Sequence, residues 1–101
     1  MKIEQVLNGS KPGTLIPVYI YILETHFGTY YCGITNNLIR RWKEHFRGEN
    51  KYTNKFKPKK YVYTEVTQGY QLARIREKKI KRFGPKRFLA LQGIISMDLT
   101  T

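Results

Sequence analysis

The chain has 101 residues, of which 41% are hydrophobic, so it can form a single domain with one modest core. Nineteen Lys and Arg residues outnumber seven Asp and Glu residues. The resulting charge of +12 favours a nucleic-acid partner over a solvated basic surface or a ribosomal-type structural role. The single cysteine, Cys32, excludes an internal disulfide and a multi-cysteine zinc site. The longest apolar stretch, Ile16 to Leu23, is too short to span a bilayer, so we expect a cytoplasmic protein without a membrane partner.

Polar residues and helix breakers predict an N-terminal arm over residues 1–14, then a folded domain over 15–95 and a tail over 96–101. The domain begins with LIPVYIYILE, whose β-branched and aromatic residues predict a strand. Both faces of this strand are apolar, which is typical of a strand in the middle of a covered sheet.

A turn over residues 25–28 and a second strand, TYYCGIT, follow directly. A hairpin centred near His26 would place Tyr21 opposite Tyr31. The sequence therefore predicts two phenols on one face of the sheet, although each tyrosine alone is equally well explained by aromatic packing.

Asn36 or Asn37 can cap a helix that runs to about Arg47. Two stripes at four-residue spacing run along this helix, one apolar and one polar. The apolar stripe, which we expect to be buried, consists of Leu38, Trp42 and Phe46. The polar stripe consists of Asn37, Arg41 and His45, and by itself it is compatible with a solvated face.

The second half of the chain begins with the basic segment RGENKYTNKFKPKK, for which we expect a loop or a weak helix. YVYTEV predicts a third strand, QLARIREKKIKRF a helix, and the residues after Pro85 a last short helix. The predicted apolar side of the longer helix consists of Leu72, Ala73, Ile75, Ile80 and Phe83. This order of elements predicts an α+β fold, with a small three-stranded antiparallel sheet flanked by helices.

Phosphodiester hydrolysis needs a group that orients or deprotonates water, a cation on the phosphate and usually a divalent metal held by carboxylate. No two of the seven acids have the close spacing of a two-metal site, so metal chemistry here would use one carboxylate and one ion. Glu77 is the single acid in a basic helix, on the flank of its apolar side. From the residues alone, Glu77 is equally an ion-pair partner of Lys81 and a metal ligand.

Taken together, these residues resemble the GIY-YIG nuclease module, and in particular its small single-domain bacterial members. The first half-motif is Tyr19-Ile20-Tyr21 and the second is Tyr31-Cys32-Gly33. Arg41 follows ten residues after Tyr31, and His45 comes one helical turn later. The catalytic glutamate of the pattern falls on Glu77, and the resemblance extends over residues 17–91.

The resemblance implies a metal-dependent endonuclease that hydrolyses phosphodiester bonds in DNA. Tyr21 would act as general base, assisted by His45, and Tyr31 would orient the water or contact the phosphate. Arg41 would hold the non-bridging oxygens, and Glu77 would hold one Mg²⁺ or Mn²⁺ ion. The alternative is a module of the same fold that binds nucleic acid without cutting it.

Basic residues on the two later segments are expected to follow the phosphate backbone. They are Lys51, Lys55, Lys57, Lys59, Lys60, Arg74, Arg76 and Lys81. The chain departs from the family pattern at Tyr19 and Cys32, whose side chains carry no chemistry, and at Ile34, where some branches have a lysine.

Overall fold

The computed structural model describes residues 16–96, which form an α+β fold. In chain order its elements are β1 (Pro17–Thr25), β2 (Tyr30–Thr35), α1 (Leu38–Phe46), α2 (Lys51–Phe56), β3 (Pro58–Gln68), α3 (Gly69–Phe83) and α4 (Pro85–Leu91). The predicted arm over residues 1–14, and the predicted tail from residue 97 onward, lie outside the described residues. Within the described part of the chain, no helix combines the length and the apolar character needed to cross a membrane.

The sheet has three antiparallel strands in the order β2-β1-β3. The central strand β1 is buried on both faces: Ile20 and Ile22 point to one side, Tyr21 and Leu23 to the other, and all four are fully buried. The predicted fold class and the covered central strand are therefore confirmed. β3 is longer than the predicted YVYTEV, because pairing with β1 extends it at both ends.

The predicted register of the first hairpin was wrong. Tyr21 pairs with Gly33, and Tyr31 pairs with Leu23, so the hairpin is centred one residue later than expected. The reason is Gly28, whose φ of 77° supplies the left-handed residue of the turn. Tyr21 and Tyr31 still share a face of the sheet, and their ring centroids are 6.3 Å apart.

A layer of helices covers each face of the sheet. On one face Ile20 and Ile22 pack in an apolar cluster with Ile80 from α3 and Leu89 from α4. The opposite face, which carries Tyr21 and Tyr31, is covered by α1 and α2 through aromatic contacts with His45 and Tyr52. The segment expected to be a loop or weak helix contains the helix α2, which completes the second layer, and its last residues belong to β3.

The rotation of α1 differs from the expected one. Phe46 is 72% exposed and Leu38 and Trp42 are half-buried, whereas His45 is fully buried. The polar stripe faces the sheet because His45 finds buried hydrogen-bond partners there, so its burial leaves no unsatisfied nitrogen.

The apolar side of α3 is also narrower than expected. Ala73 and Ile80 are buried, but Leu72 is 55% exposed and Ile75 and Phe83 also face solvent. The helix contacts all three strands along one line, and the small Ala73 side chain permits this close approach.

We expect Ile80→Ala to lower the free energy of unfolding by about 2–5 kcal/mol, because it leaves a cavity between α3 and the sheet. Leu72→Ala on the same helix is the matched control and should cost less than about 1 kcal/mol, since its side chain is largely in solvent. Urea denaturation of both variants measures the difference. Equal losses would mean that α3 does not pack through Ile80.

Candidate active site

A buried tyrosine and a buried histidine form the centre of the candidate site. The Tyr21 hydroxyl lies 2.7 Å from His45 Nε2, and Arg41 Nε donates a hydrogen bond to the same hydroxyl at 3.2 Å. Arg41 and His45 are one helical turn apart on α1, so the polar stripe of that helix presents both to the tyrosine. Three of the residues predicted for catalysis therefore touch one another.

Gly33 provides the space for this arrangement. It lies directly opposite Tyr21 in the β1–β2 ladder, and a Cβ atom at residue 33 would lie 2.6 Å from the Tyr21 hydroxyl oxygen. A side chain at this position would displace the tyrosine from His45. The absence of a side chain at Gly33 thus lets the Tyr21 ring approach the β2 backbone closely.

The direction of the hydrogen bonds fixes the histidine tautomer. Arg41 can only donate, so the Tyr21 oxygen accepts from it and directs its own proton at His45 Nε2. We therefore assign the ring proton of a neutral His45 to Nδ1, which lies 2.7 Å from Thr53 Oγ1.

The network continues from Thr53 to the second tyrosine. The Thr53 hydroxyl donates to Asn50 Oδ1 over 3.4 Å, and Asn50 Nδ2 donates to the Tyr31 hydroxyl at 3.0 Å. Asn50 is also the N-cap of α2, and its Oδ1 accepts from the Thr53 backbone N–H at 3.0 Å. One run of hydrogen bonds thus joins Arg41 and Tyr21 to Tyr31.

Burial keeps the side chains of Tyr21 and His45 neutral. Burial, reinforced by the Arg41 charge, lowers the pKa of His45 to about 4. Burial also raises the pKa of Tyr21 well above its usual 10, although the Arg41 hydrogen bond opposes this shift. At neutral pH the protein therefore holds a neutral phenol that donates to a neutral imidazole.

Glu44 holds the Arg41 guanidinium in place. Its Oε1 accepts from Arg41 Nη1 at 2.8 Å, while Arg41 Nε is directed at Tyr21. A guanidinium has five N–H donors in one plane, so Arg41 has further donors available for an anion. Its side chain is 25% exposed and accessible to one.

Glu77 lies on α3, in the other helix layer, and is connected to the site through Lys81. Lys81 Nζ lies 3.1 Å from a Glu77 oxygen and 6.0 Å from the centroid of the Tyr31 ring. Tyr31 is on β2, an edge strand, so side chains of α3 can approach it from the opposite face. Tyr21 is hydrogen-bonded to Arg41 and His45, and the Tyr31 ring lies beside those of Tyr21 and His45. Glu77 is connected to this group only through Lys81.

The side chains around the site could hold a metal ion only if water and substrate oxygens supply most of its ligands. Among residues 16–96, no three His, Cys, Asp or Glu side chains are grouped closely enough to enclose an ion. Mg²⁺ binds to one or two carboxylates and completes its coordination with water and substrate phosphate oxygens. The single carboxylate of Glu77, which is 18% exposed and paired with Lys81, fits this coordination by one carboxylate with water and phosphate oxygens.

The predicted nucleic-acid-binding residues fall into two groups. Five lysines are exposed on α2 and the first residues of β3: Lys51, Lys55, Lys57, Lys59 and Lys60. The others lie on α3. Arg74 lies over the Tyr70 ring, and Arg76 is paired with Glu65 of β3 at 2.7 Å. Lys81 is paired with Glu77.

Three side chains that line the site were not predicted from the sequence. Asn50 and Thr53 connect His45 to Tyr31, and Tyr61 packs its ring 5.2 Å from that of Tyr21. Asn50 and Thr53 have the spacing of a helix N-cap and its third residue, a signal that recognition of α2 as a helix would have revealed.

We expect acid to destabilise the protein through His45. The unfolded histidine titrates near 6.5, whereas the pKa of the buried ring is about 4, so between these values the unfolded state binds more protons. The free energy of unfolding should therefore fall by up to about 3 kcal/mol as the pH drops through this window. Denaturation across this pH range measures the effect, with His45→Gln as the reference that lacks it. Parallel curves for the two proteins would contradict the assignment.

A family model and several known proteins match this chain. The family model described as "GIY-YIG catalytic domain" matches residues 17–86. A UPF0213 protein of Desulfotalea psychrophila is 37% identical over 71 residues, which cover 68% of this chain and 64% of that protein. A UPF0213 protein of Streptococcus agalactiae is 39% identical over 59 residues, covering 57% of this chain and 67% of that protein.

A solved structure is also similar. The solution NMR structure of a UPF0213 protein from Bacillus halodurans has 30% identity and a TM-score of 0.48, covering 77% of this chain and 84% of that one. The family match runs from β1 to the start of α4 and includes both half-motifs, Arg41, His45 and Glu77. The chain therefore belongs to the GIY-YIG family, a superfamily of nucleases.

Proposed function

We propose that the protein is a metal-dependent endonuclease that hydrolyses phosphodiester bonds in nucleic acid, with DNA as the expected substrate. The observation that carries the proposal is the contact between Tyr21 and His45, with Arg41 donating to the same hydroxyl. This arrangement places a proton acceptor behind a hydroxyl and a cation beside it. A surface that only binds phosphates needs the cation, but it does not need a proton acceptor behind a buried hydroxyl.

Tyr21 acts in this proposal as a relay rather than as a preformed phenolate. Its oxygen accepts a proton from the attacking water while its own proton passes to His45 Nε2, 2.7 Å away. The low pKa of His45 keeps Nε2 free to receive a proton at neutral pH, and Thr53 holds the other ring nitrogen in the required tautomer. The raised pKa of Tyr21 is compatible with this route, because no free phenolate accumulates.

In this proposal, binding of the substrate phosphate by Arg41 also opens the Tyr21 hydroxyl to water. Tyr21 is fully buried. Arg41, whose side chain is partly exposed, donates to the Tyr21 hydroxyl. A phosphate of the substrate competes for the guanidinium and draws it toward the non-bridging oxygens. Movement of Arg41 toward the phosphate uncovers the Tyr21 hydroxyl for water, and Tyr31 lies beside it to orient that water.

Glu77 is the residue that would hold the single Mg²⁺ or Mn²⁺ ion. When bound, the ion would supply positive charge to stabilise the leaving oxygen. Lys81 pairs with the carboxylate in the free protein, and its Nζ atom lies 6.0 Å from the centroid of the Tyr31 ring. Loss of this ion pair on metal binding would release a lysine next to the substrate phosphates.

Two observations favour the alternative, a binding module that does not cut. Tyr21 is fully buried in the free chain, and Glu77 is already paired with Lys81. The alternative predicts that both residues are structural, so that their loss affects folding before it affects any chemistry. Variants of Glu77 and Arg41 separate the two functions.

Glu77→Gln should lower the cleavage rate by several orders of magnitude, because the substitution removes the charge that retains the metal. Binding to the same DNA in EDTA should hold or tighten, since one negative charge near the phosphates is lost. The half-exposed pair with Lys81 contributes less than about 1 kcal/mol, so the melting temperature should change little.

The matched control is Glu49→Gln, which breaks a surface ion pair with Arg47. Its cleavage rate should equal that of the unmodified protein. A folded Glu77→Gln variant that cleaves at the full rate in Mg²⁺ would refute the metal site.

Arg41→Lys should reduce cleavage roughly 100-fold, because a lysine keeps the charge but loses the planar donors directed at the phosphate and at Tyr21. The neighbouring substitution Arg40→Lys is the control: Arg40 is more exposed, paired with Glu44 at 3.4 Å, and points away from Tyr21. Steady-state cleavage of one labelled DNA by both variants measures the contrast. Equal effects would assign the phosphate contact to another residue.

A further inference from the structure

A row of aromatic rings leads out of the candidate active site. Tyr31, Tyr52, Phe56 and Phe27 follow one another with centroid separations of 5.6, 4.8 and 5.8 Å. We call these four side chains the aromatic row. It begins at Tyr31 in the site, crosses α2 and ends at the turn between β1 and β2. Nothing in the hydrolytic scheme uses its outer three members.

The outer end of the row is held rigidly and yet exposed. The Thr25 hydroxyl accepts from the backbone N–H groups of Phe27 and Thr29, each at 3.2 Å. His26 N–H donates to the Lys57 carbonyl at 2.9 Å, which ties the turn to the end of α2. Phe27 is nevertheless 69% exposed. A large apolar ring is therefore presented to solvent on a fixed backbone.

Packing within the protein explains the positions of Tyr52 and Phe56 in the aromatic row, but it does not explain the exposed ring of Phe27. Tyr52 and Phe56 are half-buried and hold α2 against the sheet. Phe27 meets Phe56 at an interplanar angle of 76°, so at most one face of its ring is covered. The rest of the Phe27 ring is available to a ligand with a flat apolar surface.

The positive charge beside the aromatic row favours a ligand that carries phosphates. Residues 50–60 contain five lysines and no acid, and all five lysines are exposed. Lys55 Nζ lies 5.3 Å from the centroid of the Phe56 ring. Rings on which bases can stack, flanked by cations that contact phosphates, are the surface that binds single-stranded nucleic acid.

We propose that the aromatic row and its lysines bind unpaired nucleotides next to the scissile phosphate. The bases of an intact duplex are stacked on each other and cannot reach these rings, so the preferred substrate is a single strand or the single-stranded part of a branched nucleic acid. This inference rests on the proposed function, because it takes Tyr31 as the point where the strand meets the hydrolytic site.

The test measures affinity in EDTA, so that cleavage plays no part. Fluorescence anisotropy compares a labelled oligothymidylate with a labelled blunt-ended duplex for the unmodified protein, Phe27→Ala and Phe46→Ala. Phe46 is the matched control, since it is 72% exposed on α1 but does not belong to the row. Phe27→Ala should weaken binding of the single strand about tenfold and leave duplex binding unchanged, while Phe46→Ala changes neither.

A Phe27→Trp variant reports stacking of a base on residue 27 directly, through tryptophan fluorescence. Stacking on a base should quench the fluorescence of the new tryptophan when the single strand is added, with affinity at least equal to that of the unmodified protein. An oligouridylate run in parallel distinguishes DNA from RNA as the source of the strand. A tighter complex with one of the two polymers identifies it.

The inference is overturned if Phe27→Ala binds the single strand normally, if it weakens single-strand and duplex binding equally, or if the unmodified protein binds neither. Cleavage assays with Glu77→Gln report on the hydrolytic site independently. Metal-dependent cleavage that depends on Glu77 but not on Phe27 would leave the proposed function intact and remove only the stacking surface.

Discussion

The hydrogen bond between the Tyr21 hydroxyl and His45 Nε2 is the contact on which the site depends. It joins the central strand to α1 where both residues are fully buried, and an unpaired polar group there would cost about 1–3 kcal/mol. The bond has its observed direction only while His45 is neutral, a state that burial and Arg41 both favour. It also requires Gly33, since any side chain there would occupy the place of the phenol. Several residues of the family motif thus serve one interaction.

The two faces of the sheet are stabilised by different means. The α3 and α4 face buries apolar side chains such as Ile20 and Ile80, whose packing needs no partner of defined direction. The α1 and α2 face buries polar groups, and within residues 16–96 every buried side-chain nitrogen and oxygen has a hydrogen-bond partner. A satisfied polar layer fixes side-chain positions more narrowly than an apolar one. This difference is what allows one face to be a scaffold and the other to be a site.

The sequence was sufficient for features that depend on local patterns. The alternation in β1, the Asn37 cap and the order of elements predict the α+β fold, and motif spacing brings Tyr21, Arg41 and His45 together. Features that depend on tertiary contacts were not predictable. Hydrophobicity ranks Phe46 as more buried than His45, but hydrogen bonds to the sheet and to α2 decide the rotation of α1.

Tyr31 is where the separate parts of the molecule converge. It lies on the edge strand, so it is accessible from both helix layers: Asn50 of the polar network reaches it from one side and Lys81, with Glu77, from the other. Tyr52 then extends its aromatic surface away from the sheet. A central strand could not combine these contacts, because its neighbours would block one approach. The position of β2 at the edge is therefore what would let a domain of this size assemble the proposed proton relay, the Glu77–Lys81 pair and a basic aromatic surface around one residue.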